Sequence, residues 1–408
     1  MCSPFPNVIF NREVYPISHG YSEILNPAFR PLVRQCFTKL ENRKVFNTRT
    51  NAIETTNPVY DLQYSPVCSS SGDRMLAVGD EHGYLSVVKM PYYQTKTKVK
   101  PLEGKQTALM LGPYHNECEE MDEEERIIRE SENINPVLYT LDWCACGEKI
   151  VAGYGDGSIR MWDLVKSRCY STINAYTMSI KRVCWRNEAP TCVLSCSRSN
   201  AIEMHDLRMR VSLVNRINCA PLNCKLTDIS VLDDNIVLSS SSNSSSGMIW
   251  DLRHTYKLYK RVVPVEKVNM GGNGVINMKY DGVNHVYALC DGGVIKKLNW
   301  RSGAVISSFR NPGVVDFFTK IDVCDADVLV CGTNGRIVYG YDTKMLGEYI
   351  DPFFSLKEPN TESLTEDDKE NDTRTCCAVA IAKQRGSCDV GFAQIAAGGD
   401  DSAVTVWD

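Results

Sequence analysis

The chain has 408 residues and a formal net charge of -5, with 43% hydrophobic and 23% charged residues. These proportions are ordinary for a globular protein, and the mild acidity gives no overall electrostatic footprint for nucleic acid. No apolar run reaches the roughly 18 residues that a membrane-spanning helix needs. The start Met1-Cys2-Ser3-Pro4 lacks the basic and apolar regions of a signal peptide. We therefore expect no membrane segment and no direct nucleic-acid partner.

Motifs for catalysis and metal binding are missing from the sequence. The 18 cysteines show no paired C-x-x-C zinc spacing, and they are interpreted as reduced, mostly buried thiols of a cytosolic or nuclear protein. The six histidines are isolated from cysteines and acidic residues. No H-E-x-x-H, phosphate-loop or G-x-S-x-G motif occurs. The sequence predicts no metal, no cofactor and no enzymatic activity.

Residues 1–55 lie outside the repeats that follow, and they are predicted to form an N-terminal extension. Residues 31–40 have the pattern of an amphipathic helix. Its apolar face carries Phe29, Leu32, Val33, Cys36, Phe37 and Leu40. Such a helix either packs on its own domain or enters the groove of a partner.

Residues 56–408 contain seven similar units, each with short β-rich strands around a turn of Gly, Asn, Asp or Ser. Several units end in Trp-Asp or a variant of it, as in Trp162-Asp163, Trp250-Asp251 and Trp407-Asp408. Aligned on this Asp, four of the six spacings are 43, 45, 48 and 43 residues. WD repeats have a period of about 40–45 residues. The predicted fold is therefore all-β, a seven-bladed WD-repeat propeller.

Two insertions, near residues 94–133 and 344–374, lengthen the remaining spacings. They contain acidic stretches at residues 117–125 and 358–372, and we expect exposed, flexible loops. The Ser-rich stretch at residues 239–246 is interpreted as a flexible hairpin tip, with phosphorylation as the alternative. The seventh unit ends at Asp408 without an outer strand. We expect a segment of residues 1–55 to supply that strand and close the ring.

Two arginines are the candidate binding residues. Arg208 and Arg253 each lie two positions after an aspartate, Asp206 and Asp251, in consecutive units. The ring should place them on one face, where arginine is a favoured interface residue. The alternative is a local salt bridge between each arginine and an aspartate of its own blade.

The segments Asp206-Leu207-Arg208 and Trp250-Asp251-Leu252-Arg253 resemble the W-D-x-R boxes of WD-repeat substrate receptors of cullin-4 ubiquitin ligases. Residues 250–259 and 135–208 are similar in order and spacing to the denticleless type of this class. The sequence departs from this class at two points. In the first box His205 replaces the tryptophan. The segment Trp162-Asp163-Leu164 is followed by Val165 instead of arginine, so it is not a third box. That type carries a long tail after the propeller, whereas this sequence stops at Asp408.

The resemblance implies a substrate-recognition subunit of a cullin-4 RING E3 ligase. The paired boxes would bind the damage-binding adaptor, with Leu32 and Phe37 of the N-terminal helix adding to that contact. It further implies chromatin-associated cell-cycle or replication-licensing substrates and a nuclear location, with the cytoplasm as a second compartment. Lys181 and Arg182, after a loop on the other face, are the expected substrate contacts. The rival hypothesis is a non-enzymatic WD-repeat scaffold in a chromatin or RNA-processing complex.

Overall fold

Seven small β-sheets form a closed circuit in the computed structural model. The structure describes residues 42–47, 58–67, 74–90, 109–112, 136–186, 191–209, 212–218, 225–233, 235–256, 261–269, 274–313, 315, 318–324, 327–357, 375–382, 394–400 and 403–407. The first strand of each sheet contacts the first strands of both neighbouring sheets, and these contacts run right round the circuit. The predicted seven-bladed propeller is confirmed.

Blades 1 to 3 are four-stranded antiparallel sheets whose strands follow the chain from the centre of the ring outward. Their strands are β2 (Val59–Tyr64), β3 (Arg74–Asp80), β4 (Leu85–Met90) and β5 (Leu109–Leu111) in blade 1, β6 (Leu138–Trp143), β7 (Lys149–Tyr154), β8 (Ser158–Asp163) and β9 (Arg168–Asn174) in blade 2, and β10 (Ile180–Trp185), β11 (Cys192–Ser197), β12 (Ala201–Asp206) and β13 (Leu213–Asn218) in blade 3.

Blades 4 to 6 repeat this order, with one extra strand in blade 5 that runs parallel to its neighbour. Their strands are β14 (Leu226–Asp233), β15 (Ile236–Ser241), β16 (Ser244–Tyr256) and β17 (Arg261–Asn269) in blade 4, β18 (Val275–Tyr280), β19 (His285–Cys290), β20 (Val294–Asn299), β21 (Ala304–Arg310) and the extra β25 (Gly347–Ile350) in blade 5, and β22 (Ile321–Cys324), β23 (Val328–Thr333), β24 (Ile337–Asp342) and β26 (Phe354–Lys357) in blade 6.

Blade 7 combines the two ends of the described chain. Its inner strands are β27 (Ala378–Ile381), β28 (Ile395–Gly398) and β29 (Ala403–Trp407), and β1 (Asn42–Asn47) is its outer strand. β1 pairs antiparallel with β29, with Val45 opposite Thr405. Because the first described strand completes the last sheet, the ring is closed by main-chain hydrogen bonds between distant parts of the sequence.

An apolar cluster fills each of the seven boundaries between blades. The three Trp-Asp tryptophans, Trp162, Trp250 and Trp407, are fully buried in such clusters. Since each sheet buries apolar residues on both faces, the inner strands have few polar positions, which explains their continuous apolar character in the sequence. The packing fixes the angular position of every blade, and therefore of the turns that each blade presents.

Polar side chains on the inner strands tie neighbouring blades together round the central channel. In each case a side-chain oxygen of one blade accepts a backbone N–H of the next. The acceptor oxygens are Asp61 Oδ2 for Leu141 N–H at 2.7 Å, Asp142 Oδ2 for Trp185 N–H at 2.7 Å, Asp228 Oδ2 for Met278 N–H at 2.7 Å, Asn277 Oδ1 for Ile321 N–H at 3.0 Å, and Asp322 Oδ2 for Ile381 N–H at 2.9 Å.

Three sequence expectations need correction. The stretches 94–133 and 344–374 are more than loops, because β5 lies in the first and β25 and β26 lie in the second. The first strand of blade 6 is Ile321–Cys324, whereas the sequence predicted residues 314–321. Most of the Ser-rich stretch is strand and not hairpin tip, since β15 and β16 bury Ser239, Ser240, Ser241 and Ser246 and leave only Ser242 and Asn243 as the turn between them.

Glycine is required at one turn in particular. Gly157 joins β7 to β8 with a φ of 85°, and a Cβ there would lie 2.2 Å from the carbonyl oxygen of Tyr176. The left-handed backbone and the close approach both exclude a larger side chain. This agrees with the expectation that the central hairpin turns use residues tolerant of positive φ.

Candidate protein-interaction faces

The ring presents two faces, which the register of blade 3 defines. At one end of the blade, Ile180 of β10 lies opposite Ser197 of β11. At the other end, Cys192 of β11 lies opposite Asp206 of β12. We call the end at which the third strands finish the WD face, and the other end the opposite face. Arg208 and Arg253 therefore lie on the WD face, whereas Lys181 begins its strand at the opposite face.

Arg208 is held by Asp206 two positions earlier. Its backbone N–H and its Nε donate to Asp206 Oδ1, both at 3.0 Å, and its Nη2 donates to Oδ2 at 2.7 Å. These bonds lower the pKa of Asp206 to about 2. The Arg208 side chain nevertheless stays 70% exposed. The local salt bridge is thus present, and it orients the guanidinium without burying it.

Arg253 repeats this geometry one blade further on. Its backbone N–H and Nε donate to Asp251 Oδ1, both at 2.9 Å, and its Nη2 donates to Oδ2 at 2.6 Å. The side chain is 65% exposed. Asp251 lies opposite Ile236 in the register of blade 4, as Asp206 lies opposite Cys192 in blade 3. The two arginines therefore occupy equivalent positions on adjacent blades.

The missing tryptophan of the first box leaves this geometry intact. In blade 4, Trp250 is buried and its Nε1 donates to Ser239 Oγ at 2.8 Å. In blade 3, His205 takes that position, with Nδ1 lying 3.2 Å from Ser212 Oγ and Nε2 lying 3.2 Å from Glu203 Oε2. Because both Asp-Arg pairs are formed, the substitution affects the blade core and not the exposed cation.

Exposed apolar side chains accompany the arginines on the WD face. In the part of the chain that the structure describes, the exposed large apolar residues lie at this end of the blades, except Met178 and Tyr349. Those at the WD face are Val67, Met75, Val165, Tyr170, Met209, Leu213, Val214, Val283, Val305, Met345 and Leu346. Exposed apolar side chains and arginines are thus found on the same face, and both residue types occur at protein interfaces.

The opposite face carries an aromatic cluster at the mouth of the channel, which the sequence did not predict. Tyr60, Tyr139 and Phe318 come from blade 1, blade 2 and the segment before blade 6. Their ring centroids lie 5.1 to 5.7 Å apart. Lys181 Nζ lies 4.5 Å from the Tyr139 ring centroid and 5.3 Å from that of Phe318. Burial, with the nearby Arg198 and Lys320 cations, lowers the pKa of Lys181 to about 8.

The sequence-based hypothesis places Arg182 among the exposed substrate contacts, but the structure buries most of its side chain. Its side chain is only 13% exposed, and its Nε lies 3.7 Å from Asp228 Oδ1 inside the channel wall. A neighbouring strand residue points to the other side of a sheet, so Lys181 faces the channel mouth and Arg182 does not share that position. We therefore assign Arg182 to the contact between blades 3 and 4.

The remaining predicted features fall elsewhere. Leu32 and Phe37, with the predicted helix at residues 31–40, lie outside the described residues. Among the described residues no group of three or more His, Cys, Asp or Glu side chains could hold a metal ion. In the same part of the chain no helix has the length and apolarity to cross a membrane. Of the described cysteines, all but Cys146 and Cys169 are buried.

The chain was compared with known proteins. No protein-family profile matches it. It is similar to "Cell division cycle protein cdt2" of Schizosaccharomyces pombe (strain 972 / ATCC 24843), with 24% identity over 243 residues, which cover 50% of this chain and 49% of that protein. The chain thus spans about half the length of the curated relative that it matches.

Among solved structures, a chain of the one described as "Crystal Structure of Mitotic Checkpoint Complex" matches with a TM-score of 0.59 and 15% identity. The match covers 90% of this chain and 91% of that one. This likeness shows the propeller fold. Together with the likeness to cdt2, it supports a WD-repeat protein whose role is protein interaction.

Proposed function

We propose that this chain is the substrate-recognition subunit of a cullin-4 RING E3 ubiquitin ligase. In this proposal the WD face binds the damage-binding adaptor and the opposite face binds a protein substrate. The proposal rests first on the two W-D-x-R-like boxes and on the similarity to a cell division cycle protein. It includes a nuclear location and a chromatin-associated substrate, in keeping with the denticleless resemblance.

The observation that carries the proposal is the shared geometry of Arg208 and Arg253. Each guanidinium is fixed by a bidentate aspartate pair and remains largely exposed. A side chain that is already ordered loses less conformational entropy on binding. Arginines that become desolvated at an interface are frequent hot spots. Two such residues in register on adjacent blades form a preorganised adaptor-binding surface, with Asp206 and Asp251 as its positioning residues.

On the opposite face, Lys181 and the aromatic cluster form the proposed substrate contact. Tyr60, Tyr139 and Lys181 are half-buried at the channel mouth, so they offer apolar ring surface, two hydroxyl groups and one cation. Binding pockets commonly combine aromatic walls with a few polar groups. A substrate segment that enters this mouth would not interfere with an adaptor on the WD face.

A scaffold role is the second candidate, and the local ion pairs favour it, because Arg208 and Arg253 each already have a carboxylate partner. Purified protein that carries both Arg208→Ala and Arg253→Ala distinguishes the adaptor-binding function from the scaffold function. We expect loss of binding to the purified adaptor, since each hot-spot arginine contributes about 2 kcal/mol or more. Circular dichroism melts should match wild type. Arg198→Ala, on the opposite face, is the matched control and should bind normally.

Unchanged adaptor binding by the double variant, together with a normal melt, would contradict the proposal. The arginines would then act only within their blades, and the scaffold role would remain. A variant that melts early and also loses binding would be examined again as Arg208→Lys with Arg253→Lys. Those side chains keep the charge but lack the planar fork that pairs with carboxylates. Normal melting with weakened binding would again support the adaptor contact.

A further inference from the structure

A third arginine continues the series on the WD face. Arg301 follows β20 of blade 5, two positions after Asn299. Its backbone N–H donates to Asn299 Oδ1 at 2.9 Å, as those of Arg208 and Arg253 donate to Asp206 and Asp251. The same contact from backbone N–H to side-chain Oδ1 thus recurs in all three blades. A search for Trp-Asp misses the contact in blade 5, because Asn299 replaces the aspartate and Leu298 replaces the tryptophan, while Trp300 follows the asparagine.

The replacement of aspartate by asparagine changes the charge of the turn. Asn299 has no carboxylate, and the Arg301 guanidinium instead stacks on Trp300, with Cζ 4.4 Å from the ring centroid. Its Nε donates to Asn284 Oδ1 at 3.4 Å. Arg301 is exposed, and among the described residues it forms no ion pair. Arg208 and Arg253 thus carry their own counter-ions, whereas Arg301 does not.

The series of exposed arginines does not continue into blade 2 or blade 6. In blade 6 the equivalent Lys344 is paired with Asp327, with 2.7 Å between Nζ and Oδ2. In blade 2 the equivalent residue is Val165, which is 74% exposed. Exposed apolar side chains, Val283 and Val305, lie on the WD face of blade 5 itself. The arginines therefore form an arc over blades 3 to 5, and its unmatched charge lies in blade 5.

We infer that Arg301 is a third anchor of the adaptor-binding surface and that the adaptor presents an acidic side chain opposite blade 5. This inference rests on the proposed function. Arg208 and Arg253 can enter a desolvated interface as neutral Asp-Arg pairs. Arg301 cannot, because an uncompensated buried charge is strongly unfavourable. A partner carboxylate, paired bidentately with the planar guanidinium, is the group that compensates it. The contact surface therefore extends over three blades.

The test measures binding of the purified full chain to the purified adaptor by surface plasmon resonance at several salt concentrations. Arg301→Glu should weaken binding at least tenfold, because a carboxylate would then face a carboxylate. Arg301→Gln should weaken it less and should reduce its salt dependence, since one screened charge pair is removed. The control is Arg198→Glu, which reverses an exposed charge on the opposite face and should bind like wild type.

The outcomes separate this inference from the proposed function. If the Arg208→Ala/Arg253→Ala variant loses binding while Arg301→Glu binds like wild type, the third anchor is refuted and the proposed function stands. If wild-type protein does not bind the adaptor, both are refuted. A variant of Arg301 that melts below wild type is replaced by Arg301→Lys, which keeps the charge above Trp300. If adaptor binding by Arg301→Lys keeps the wild-type salt dependence and binding by Arg301→Gln shows a reduced one, the result still supports an acidic partner side chain.

Discussion

Lys320 and Asp61 form an ion pair across the channel that links blade 6 to blade 1, past the intervening blade 7. Lys320 Nζ lies 2.8 Å from Asp61 Oδ1, and it also donates to the carbonyl oxygen of Tyr139 in blade 2 at 2.8 Å. Both side chains are largely buried, with exposed fractions of 15% and 3%. Lys320 thus joins three blades, although it lies 181 residues from Tyr139 in the sequence.

The Lys320→Met variant should destabilise the ring. It keeps the length of the side chain but leaves the Asp61 carboxylate without its cation, and removal of one partner of a buried pair costs about 3–5 kcal/mol. Urea unfolding of Lys320→Met, Asp61→Asn and the double variant measures this. We expect the double variant to lose less stability than the two single losses combined. Lys166→Met, an exposed lysine in a turn, should leave the unfolding midpoint unchanged. Additive losses would show that the pair does not act as a unit.

Removal of β1 should open the ring. Its six residues, Asn42–Asn47, pair with β29 along its whole length, and without them the edge of blade 7 is exposed to other molecules. We expect a lower melting temperature and aggregation, measured by calorimetry and light scattering. Removal of six residues from the acidic stretch 358–372 is the control, and it should leave the melting temperature nearly unchanged. A monomeric β1 deletion that melts like wild type would contradict closure by this strand.

The sequence predicted the blade number and most inner strands, because every unit alternates β-rich runs with turn residues such as Gly157. It also predicted a closing strand before residue 56, since the last unit lacked an outer strand. It did not predict β5 or β26, because both short strands lie within stretches of insertion-like composition: polar residues 94–108 precede β5, and the acidic residues 358–372 follow β26. Composition alone therefore assigned them to loops.

Some residues of the candidate sites could likewise be predicted from the sequence, and others could not. Arg208 and Arg253 could be found from a local motif, because each arginine bonds to an aspartate only two positions earlier. The aromatic cluster could not, since Tyr60 and Phe318 meet only when the ring closes. Arg182 was assigned to a surface because it comes just after a loop that was expected on the opposite face. Its burial depends on Asp228 of the next blade, which no local pattern reveals.

The single variants Arg208→Ala and Arg253→Ala should weaken adaptor binding by similar factors. Although His205 replaces tryptophan in the first box, the distances from arginine Nη2 to aspartate Oδ2 in the two boxes differ by only about 0.1 Å. An interface arginine contributes about 2 kcal/mol, which corresponds to roughly a 30-fold change in affinity. Isothermal titration calorimetry with the adaptor measures both. The control is Arg198→Ala, which removes an exposed arginine on the opposite face. Loss of binding in only one variant would show that a single blade provides the contact.

Lys181 should titrate near pH 8 in the folded protein. Burial, together with the positive charges of Arg198 and Lys320, lowers the pKa of Lys181 to about 8. Since this value lies below the ordinary lysine pKa, protonated Lys181 opposes folding below about pH 8. That unfavourable contribution fades between about pH 8 and 10.5, where the unfolded chain binds more protons than the folded one.

The pH profile of Lys181 acetylation, followed by mass spectrometry of the intact folded protein, measures this titration. The reactive form is the neutral amine, so labelling should reach half its maximum near pH 8. Arg198→Ala removes a repelling charge and should move the midpoint to higher pH, whereas Arg198→Lys keeps the charge and should leave it in place. A midpoint near the ordinary lysine value in wild type would mean that the ammonium is solvated away from Tyr139 and Phe318. The channel mouth would then lack the ordered cation assigned to its substrate contact.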